Sequence, residues 1–125
     1  GIDVPVVAFE LSTAALLRLA RRELPYKEVP MLPGVSIDLA LVVDEDMPFE
    51  QVAQRVRSAG GKLLADVRLF DVYRDPVRVG AGKKSMAFSL TYRAADHTLT
   101  SEEVERAHNK LVTKVTKSTG GEVRR

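Results

Sequence analysis

The sequence contains no cysteine and only two histidines, His97 and His108, among its 125 residues. The absence of cysteine excludes disulfide frameworks and thiolate metal sites. Two histidines cannot build a zinc site unaided. No apolar run approaches the roughly 20 residues of a membrane-spanning helix, and the opening stretch GIDVPVVAFE has no basic region of the signal-peptide type. We therefore expect a cytoplasmic protein with no metal ligands of its own and no membrane partner.

The composition is that of a globular domain, and its charge is unevenly distributed. Hydrophobic residues make up 45% and charged residues 29% of the chain, an ordinary balance for a domain that buries a single core. The net charge is only +2, but residues 68–93 hold six cations and two acids, a net +4. Four acids lie in DEDMPFE, residues 44–50, where we expect them to cap a helix and to interact with its dipole.

The first 33 residues look like part of another structural unit followed by a linker. PVVAFEL, residues 5–11, has strand character, and STAALLRLARREL after it has leucines at helical spacing with Ser12 or Thr13 as the cap. One strand and one helix cannot enclose a core by themselves. Three prolines within residues 25–33 favour an extended connection. We therefore interpret residues 1–24 as the tail of a preceding module and residues 25–33 as a linker.

Residues 34–125 carry the pattern strand, helix, strand, strand, helix, strand. VSIDLALVV alternates, MPFEQVAQRVRSAGG has a helical apolar stripe, and KLLADVRLFDVY and SMAFSLTY are strand-like segments around a long loop. Thr100 and Glu103 form a capping box for the second helix, and EVRR is a short last strand. This order predicts an α+β, ferredoxin-like βαββαβ domain, in which both helices cover one face of an antiparallel sheet, preceded by the short strand and helix.

The bare face of this sheet is where we expect a binding site, and the segment FDVY, residues 70–73, crosses it. Strand alternation places Asp71 and Tyr73 on the open face and Phe70 and Val72 on the core side. A ring and a carboxylate two residues apart can contact the same ligand.

Other residues of the predicted hairpin and first strand complete this face. Ser85 begins the next strand on its polar side, and Ala40 is small enough to let a planar ligand approach the sheet. Lys83 and Lys84 lie where the basic loop meets the sheet, together with Arg74 and Arg78. These four cations are candidates for phosphate contacts.

Four blocks in fixed order carry a resemblance to a known family: DLALVVDED, GGKLLADVRLFDVYRD, GKKSMAFSLTYR and TLTSEEV. Together they resemble the ferredoxin-fold anticodon-binding domain that ends the beta subunit of bacterial phenylalanyl-tRNA synthetase. The resemblance covers roughly residues 30–125, and residues 1–24 resemble the end of the inactive, catalytic-like module before it. Ile37 precedes Asp38 where this family usually has arginine, so a first-strand arginine contact is not carried over.

The resemblance implies a tRNA-binding module without catalytic residues or a cofactor of its own. It assigns the anticodon bases of tRNA(Phe) to Ala40, Asp71, Tyr73 and Ser85, with a stacking ring at Tyr73 and hydrogen bonds at Asp71 and Ser85. Lys83 and Lys84 are expected at phosphates. It further implies a parent enzyme that joins phenylalanine to tRNA with ATP and Mg²⁺, in which an alpha subunit is the partner.

Other interpretations remain open from the residues alone. Asp71 and Tyr73 can be ordinary solvated strand residues, and the lysines an ordinary solvated loop. An acylphosphatase-like enzyme shares this topology but needs an anion cradle and an arginine after the first strand, where VVDEDMP is acidic. A sensing or oligomerising module that binds no RNA is the better rival. Neither histidine has a nucleophile at a suggestive spacing, so we assign them no role.

Overall fold

The computed structural model describes residues 3–20, 26 and 31–124. In these ranges the elements are α1 (Thr13–Leu19), β1 (Val35–Asp44), α2 (Phe49–Gly60), β2 (Leu64–Tyr73), β3 (Lys83–Tyr92), α3 (Ser101–Thr119) and β4 (Glu122–Val123). A 3-10 turn, Gly61–Leu63, joins α2 to β2. The strands form one antiparallel sheet in the order β2-β3-β1-β4. The predicted ferredoxin-like α+β fold is confirmed.

The core lies between one face of the sheet and the two long helices. Alternate residues of β1 and β3 point into it, and α2 and α3 supply the opposite side. The fully buried side chains are headed by Tyr92, Phe88, Leu41, Met86, Leu90 and Leu111. Burial of a large apolar side chain contributes about 1.5–3 kcal/mol, so this layer fixes which sheet face is covered. The other face of β1 and β3 is left to small and polar residues, as the alternation predicts.

The ends of α3 follow the sequence closely. Thr100 Oγ1 accepts a hydrogen bond from the Glu103 N–H at 3.3 Å, and Glu103 Oε2 accepts one from the Thr100 N–H at 2.9 Å, which is the predicted capping box. The helix ends at Gly120, whose φ of 66° is the left-handed conformation that glycine adopts without strain. A Cβ on Gly121 would lie 2.6 Å from the Val42 carbonyl oxygen, so β4 can approach β1 only with glycine there.

The acidic stretch 44–50 contacts the hairpin instead of capping α2. The helix has no side-chain cap, so the expected capping role is wrong, although Glu50 lies in the first turn. Glu45 makes three bonds to the opposite loop. Its carboxylate accepts from Arg74 Nε at 2.8 Å, its N–H donates to the Gly82 carbonyl at 2.8 Å, and its carbonyl accepts from Lys84 Nζ at 2.6 Å. We call these three bonds the loop clamp.

The segment before the domain forms a helix but no strand. α1 begins after Ser12, whose hydroxyl accepts a hydrogen bond from the Ala15 N–H at 3.4 Å, as predicted. The strand expected over residues 5–11 does not form, and all of these residues are exposed. A strand requires a hydrogen-bonded neighbour, and no described residue pairs with this segment. Most of the expected linker, residues 25–33, lies outside the described ranges, and the division of the chain into units stays a prediction.

Candidate nucleic-acid interface

The open face brings the predicted base-contacting residues into two adjacent rows of the sheet. In one row Tyr73 of β2 lies beside Ser85 of β3, and in the next row Ala87 lies between Asp71 and Ala40. Paired residues of antiparallel strands project to the same side. The four residues therefore lie on one side of the sheet, where Asp71 is exposed, Ala40 and Tyr73 are partly buried and Ser85 is only 3% exposed. We call Ala40, Asp71, Tyr73 and Ser85 the base-contact patch.

The hairpin loop after β2 holds Tyr73 in place. Its hydroxyl donates to Asp75 Oδ2 at 2.8 Å. Asp75 Oδ1 accepts from the backbone N–H groups of Val77 at 2.9 Å and Arg78 at 3.1 Å. This hydrogen bond to the Asp75 carboxylate raises the pKa of Tyr73, and the same bond, followed by the two backbone donors, lowers the pKa of Asp75. The phenol is therefore engaged by the protein, and its ring is the part offered to a ligand.

Arg124 covers part of the Tyr73 ring from the opposite edge of the sheet. Its guanidinium carbon lies 4.7 Å from the ring centroid, within the range of a cation–π contact. Its backbone N–H donates to the Ala40 carbonyl at 2.9 Å, which extends the β4 register by one residue. Sequence reasoning missed both Arg124 and Asp75. The position of Arg124 could have been predicted, because a last strand paired with β1 places Arg124 on the same side of the sheet as Ala40.

A β-bulge in β2 changes which side chains reach the open face. Leu69 pairs with Phe88 on the core side, and Asp71 pairs with Ala87 on the open side, so the strand holds one extra residue between them. That residue is Phe70. The expectation that Phe70 points into the core is wrong, because the residue is 54% exposed and lines a groove on the open face. Asp71 is exposed and forms no ion pair within residues 31–124.

The two predicted phosphate-contacting lysines differ in their surroundings. Lys83 has the same parity along β3 as Ser85 and so projects to the open face. Lys84 is only 7% exposed and donates to the Glu45 carbonyl. The structure therefore brings Lys83 to the base-contact patch, while Lys84 must release a backbone carbonyl before it can meet a phosphate. Arg74 is paired in the loop clamp.

Both histidines lie away from this face. His108 Nδ1 is 3.1 Å from the Tyr92 hydroxyl, and burial lowers the pKa of His108 and raises the pKa of Tyr92 to about 12. His97 lies between Asp96 at 2.8 Å and Glu103 at 3.3 Å, whose hydrogen bonds raise its pKa. The described part of the chain contains no group of three potential metal-ligating side chains. Its helices are all too short or too polar to cross a membrane.

The fold and this face define a class of protein: a ferredoxin-like α+β domain whose open sheet face presents an aromatic ring, a carboxylate and a small-residue floor. Residues 30–124 match the family model of the ferredoxin-fold anticodon binding domain. The chain belongs to this family.

Similar proteins are named phenylalanine–tRNA ligase beta subunit. The relative from Symbiobacterium thermophilum is 44% identical over 119 residues, 95% of this chain and 13% of that protein. The relative from Clostridium tetani is 39% identical over 98% of this chain and 15% of that protein, and the one from Bacillus cereus is 41% identical over 94% and 14%. The chain thus spans about one seventh of the length of these relatives.

Proposed function

We propose that the base-contact patch binds unpaired bases of the tRNA(Phe) anticodon loop, and that the chain is the anticodon-binding module of a phenylalanine–tRNA ligase beta subunit. The observation that carries the proposal is the two-row arrangement of Ala40, Asp71, Tyr73 and Ser85 on one side of the sheet, where Asp71 is exposed, Ala40 and Tyr73 are partly buried and Ser85 is only 3% exposed. Proteins recognise RNA loops by stacking splayed bases on aromatic rings and by bonding their exposed edges. The family membership and the names of the relatives support this assignment.

Each side chain has a distinct part in this proposal. The Tyr73 ring supplies a stacking surface whose position is fixed by Asp75. The exposed Asp71 carboxylate accepts hydrogen bonds from base N–H groups. A base that stacks on Tyr73 either replaces the Arg124 guanidinium or stacks against its outer side. Lys83 supplies phosphate neutralisation on the open face, whereas Lys84, on the same side of β3 as Met86, holds the loop clamp.

The proposed parent enzyme carries out the chemistry elsewhere. We assign ATP, Mg²⁺ and aminoacylation to other parts of a phenylalanine–tRNA ligase, because this chain belongs to a family of anticodon-binding domains and similar proteins are named as the beta subunit of that enzyme. The alpha subunit is its proposed partner, and the cytoplasm its proposed location. This chain contributes the recognition of tRNA and no catalytic residue.

The rival hypothesis is a sensing or oligomerising module without RNA binding. Such modules often associate through an exposed sheet edge, and β2 is an edge strand here. It contains two register irregularities and exposes Asp66 and Arg68. Bulges and charges of this kind hinder edge-to-edge pairing. The edge therefore favours the RNA-binding proposal over association through β2.

An NMR titration of the full 125-residue chain with the tRNA(Phe) anticodon stem-loop tests the proposed face. We expect amide shifts in β1, β2 and β3 around Ala40, Asp71 and Ser85. Shifts confined to α2 and α3 contradict the proposal. So does the absence of shifts at RNA concentrations up to about 1 mM, which corresponds to a binding free energy of only about −4 kcal/mol.

A second measurement tests base recognition. Asp71→Asn replaces an acceptor by a group that also donates, so we expect it to reduce discrimination between the cognate and an altered anticodon. Glu105→Gln is the matched control, since Glu105 is an exposed acid on α3, away from the open face. Equal discrimination by the Asp71 variant and the control would show that the carboxylate contacts no base.

A further inference from the structure

Phe70 is the one exposed aromatic side chain within residues 31–124. Phe49 and Tyr73 are partly buried, and Phe88 and Tyr92 are in the core. Phe70 is also missing from the apolar residues that pack against the core, whereas its neighbours Leu69 and Val72 are among them. A single exposed apolar ring is common on protein surfaces, so the role of Phe70 has to be inferred from the groups that surround it.

The surroundings of Phe70 form an open groove of about 460 Å³ that is lined mainly by polar residues. Asp38, Asp66 and Arg68 contribute two carboxylates and one guanidinium, and three serine and threonine residues contribute hydroxyls. A ring beside several hydrogen-bonding groups matches a planar ligand with polar edges, which describes a nucleobase.

The groove continues the base-contact patch along the sheet. Asp71 lies in the patch, and the next rows toward the groove pair Arg68 with Ser89 and Ser89 with Asp38. Tyr73 and Phe70 are three residues apart on β2, which is less than about 10 Å at 3.3 Å per residue because the bulge at Phe70 shortens the strand. Two rings at this separation present separate stacking surfaces on one face. They are placed for two different nucleotides of the same strand.

We propose that Phe70 and its groove hold a second unpaired nucleotide of the RNA, next to the one on Tyr73. This proposal rests on the proposed function. The ring stacks on the base, and the excess of carboxylates around it keeps phosphates outward and accepts hydrogen bonds from base amino and imino groups.

The test is a coupling analysis between protein variants and abasic RNA. Kd is measured for the full chain and the anticodon stem-loop, with each loop nucleotide made abasic in turn. We expect Phe70→Ala to weaken binding about 5- to 150-fold, with a value at the lower end of this range because the ring is half exposed. The salt dependence of binding should stay unchanged, because no phosphate contact is lost. Its effect should vanish at one abasic position, because the stacked base is then already missing.

Controls separate this proposal from the proposed function. Phe70→Tyr should bind like the unaltered chain, and Phe9→Ala removes a ring that is more exposed, 85% against 54%, and lies before residues 30–124 that match the family model. If Tyr73→Ala weakens binding and Phe70→Ala does not, the second position is wrong and the anticodon function stands. Coupling of both variants to the same nucleotide also refutes a separate position. If the chain does not bind the stem-loop, or neither variant has an effect, both proposals fail.

Discussion

Replacing Lys84 by methionine separates two roles for this side chain, support of the fold and contact with RNA. The lysine stem is buried, and its Nζ donates to the Glu45 carbonyl at 2.6 Å. Methionine keeps the apolar stem and removes the charged donor. A hydrogen bond from a charged group contributes about 1.5–3 kcal/mol, and the carbonyl it leaves behind loses its partner. We expect the free energy of unfolding to fall by about this amount.

The assay is urea denaturation followed by RNA titration at several salt concentrations. With a urea m-value of about 1–3 kcal/mol/M for a domain of this size, the midpoint should fall by roughly 1 M. The folded variant should keep the salt dependence of RNA binding, since Lys84 does not face the ligand. The matched variant Lys83→Met should do the opposite, with an unchanged midpoint and a salt slope smaller by about 0.7.

The refuting result is equally clear. If Lys84→Met leaves the urea midpoint unchanged and lowers the salt slope, then Lys84 contacts a phosphate and the loop clamp does not stabilise the domain. The prediction from the sequence, that Lys83 and Lys84 both contact phosphates, would then hold for both residues.

Three further predictions concern single contacts. Tyr73→Phe should bind RNA within about 3-fold of the unaltered chain, whereas Tyr73→Ala should bind about 5- to 150-fold more weakly; equal losses would show that the hydroxyl, and not the ring, contacts RNA. Burial lowers the pKa of His108, so the unfolded chain takes up a proton more readily, and urea midpoints should fall as the pH drops below about 6.5. The pKa of His97 is raised, so its protonation stabilises the folded chain and opposes this effect. The contribution of His108 is therefore measured as a difference: the urea midpoint should fall less with pH in His108→Gln than in the unaltered chain, and an equal fall refutes this role of His108. Thr100→Ala should cost about 1 kcal/mol of unfolding free energy through loss of the α3 cap, and an unchanged urea midpoint would contradict it.

The sequence was sufficient for the elements that repeat a regular pattern. β3 alternates without interruption, and α3 has a capping box and a terminal glycine, so local chemistry and tertiary packing agree. The same holds for Val72, which pairs with Met86 on the core side as predicted. Where every residue along an element obeys one period, its faces follow directly from the sequence.

The failures have two physical causes. The period of two in FDVY predicts the wrong side of the sheet for Phe70, because a bulge adds one residue to β2 at this point. The local sequence contains no signal for this bulge. PVVAFEL has strand-forming residues but finds no partner strand among the described residues, and propensity alone does not make a strand. The contact of Asp75 with Tyr73 depends on loop conformation, which residue spacing does not encode, whereas the side on which Arg124 lies follows from the strand order of the predicted fold.

The loop clamp affects which substitutions this surface can accept during evolution. A hairpin loop that was free in solution would lose conformational entropy whenever RNA bound, but this loop is already ordered by Glu45 on a connection distant in sequence. Glu45, whose charge is wrong for contact with a phosphate, thus supports the proposed RNA-binding surface. A charge reversal at Glu45 would break its bond to Arg74 and alter affinity without touching the ligand, and a charge reversal at Arg74 would restore the ion pair.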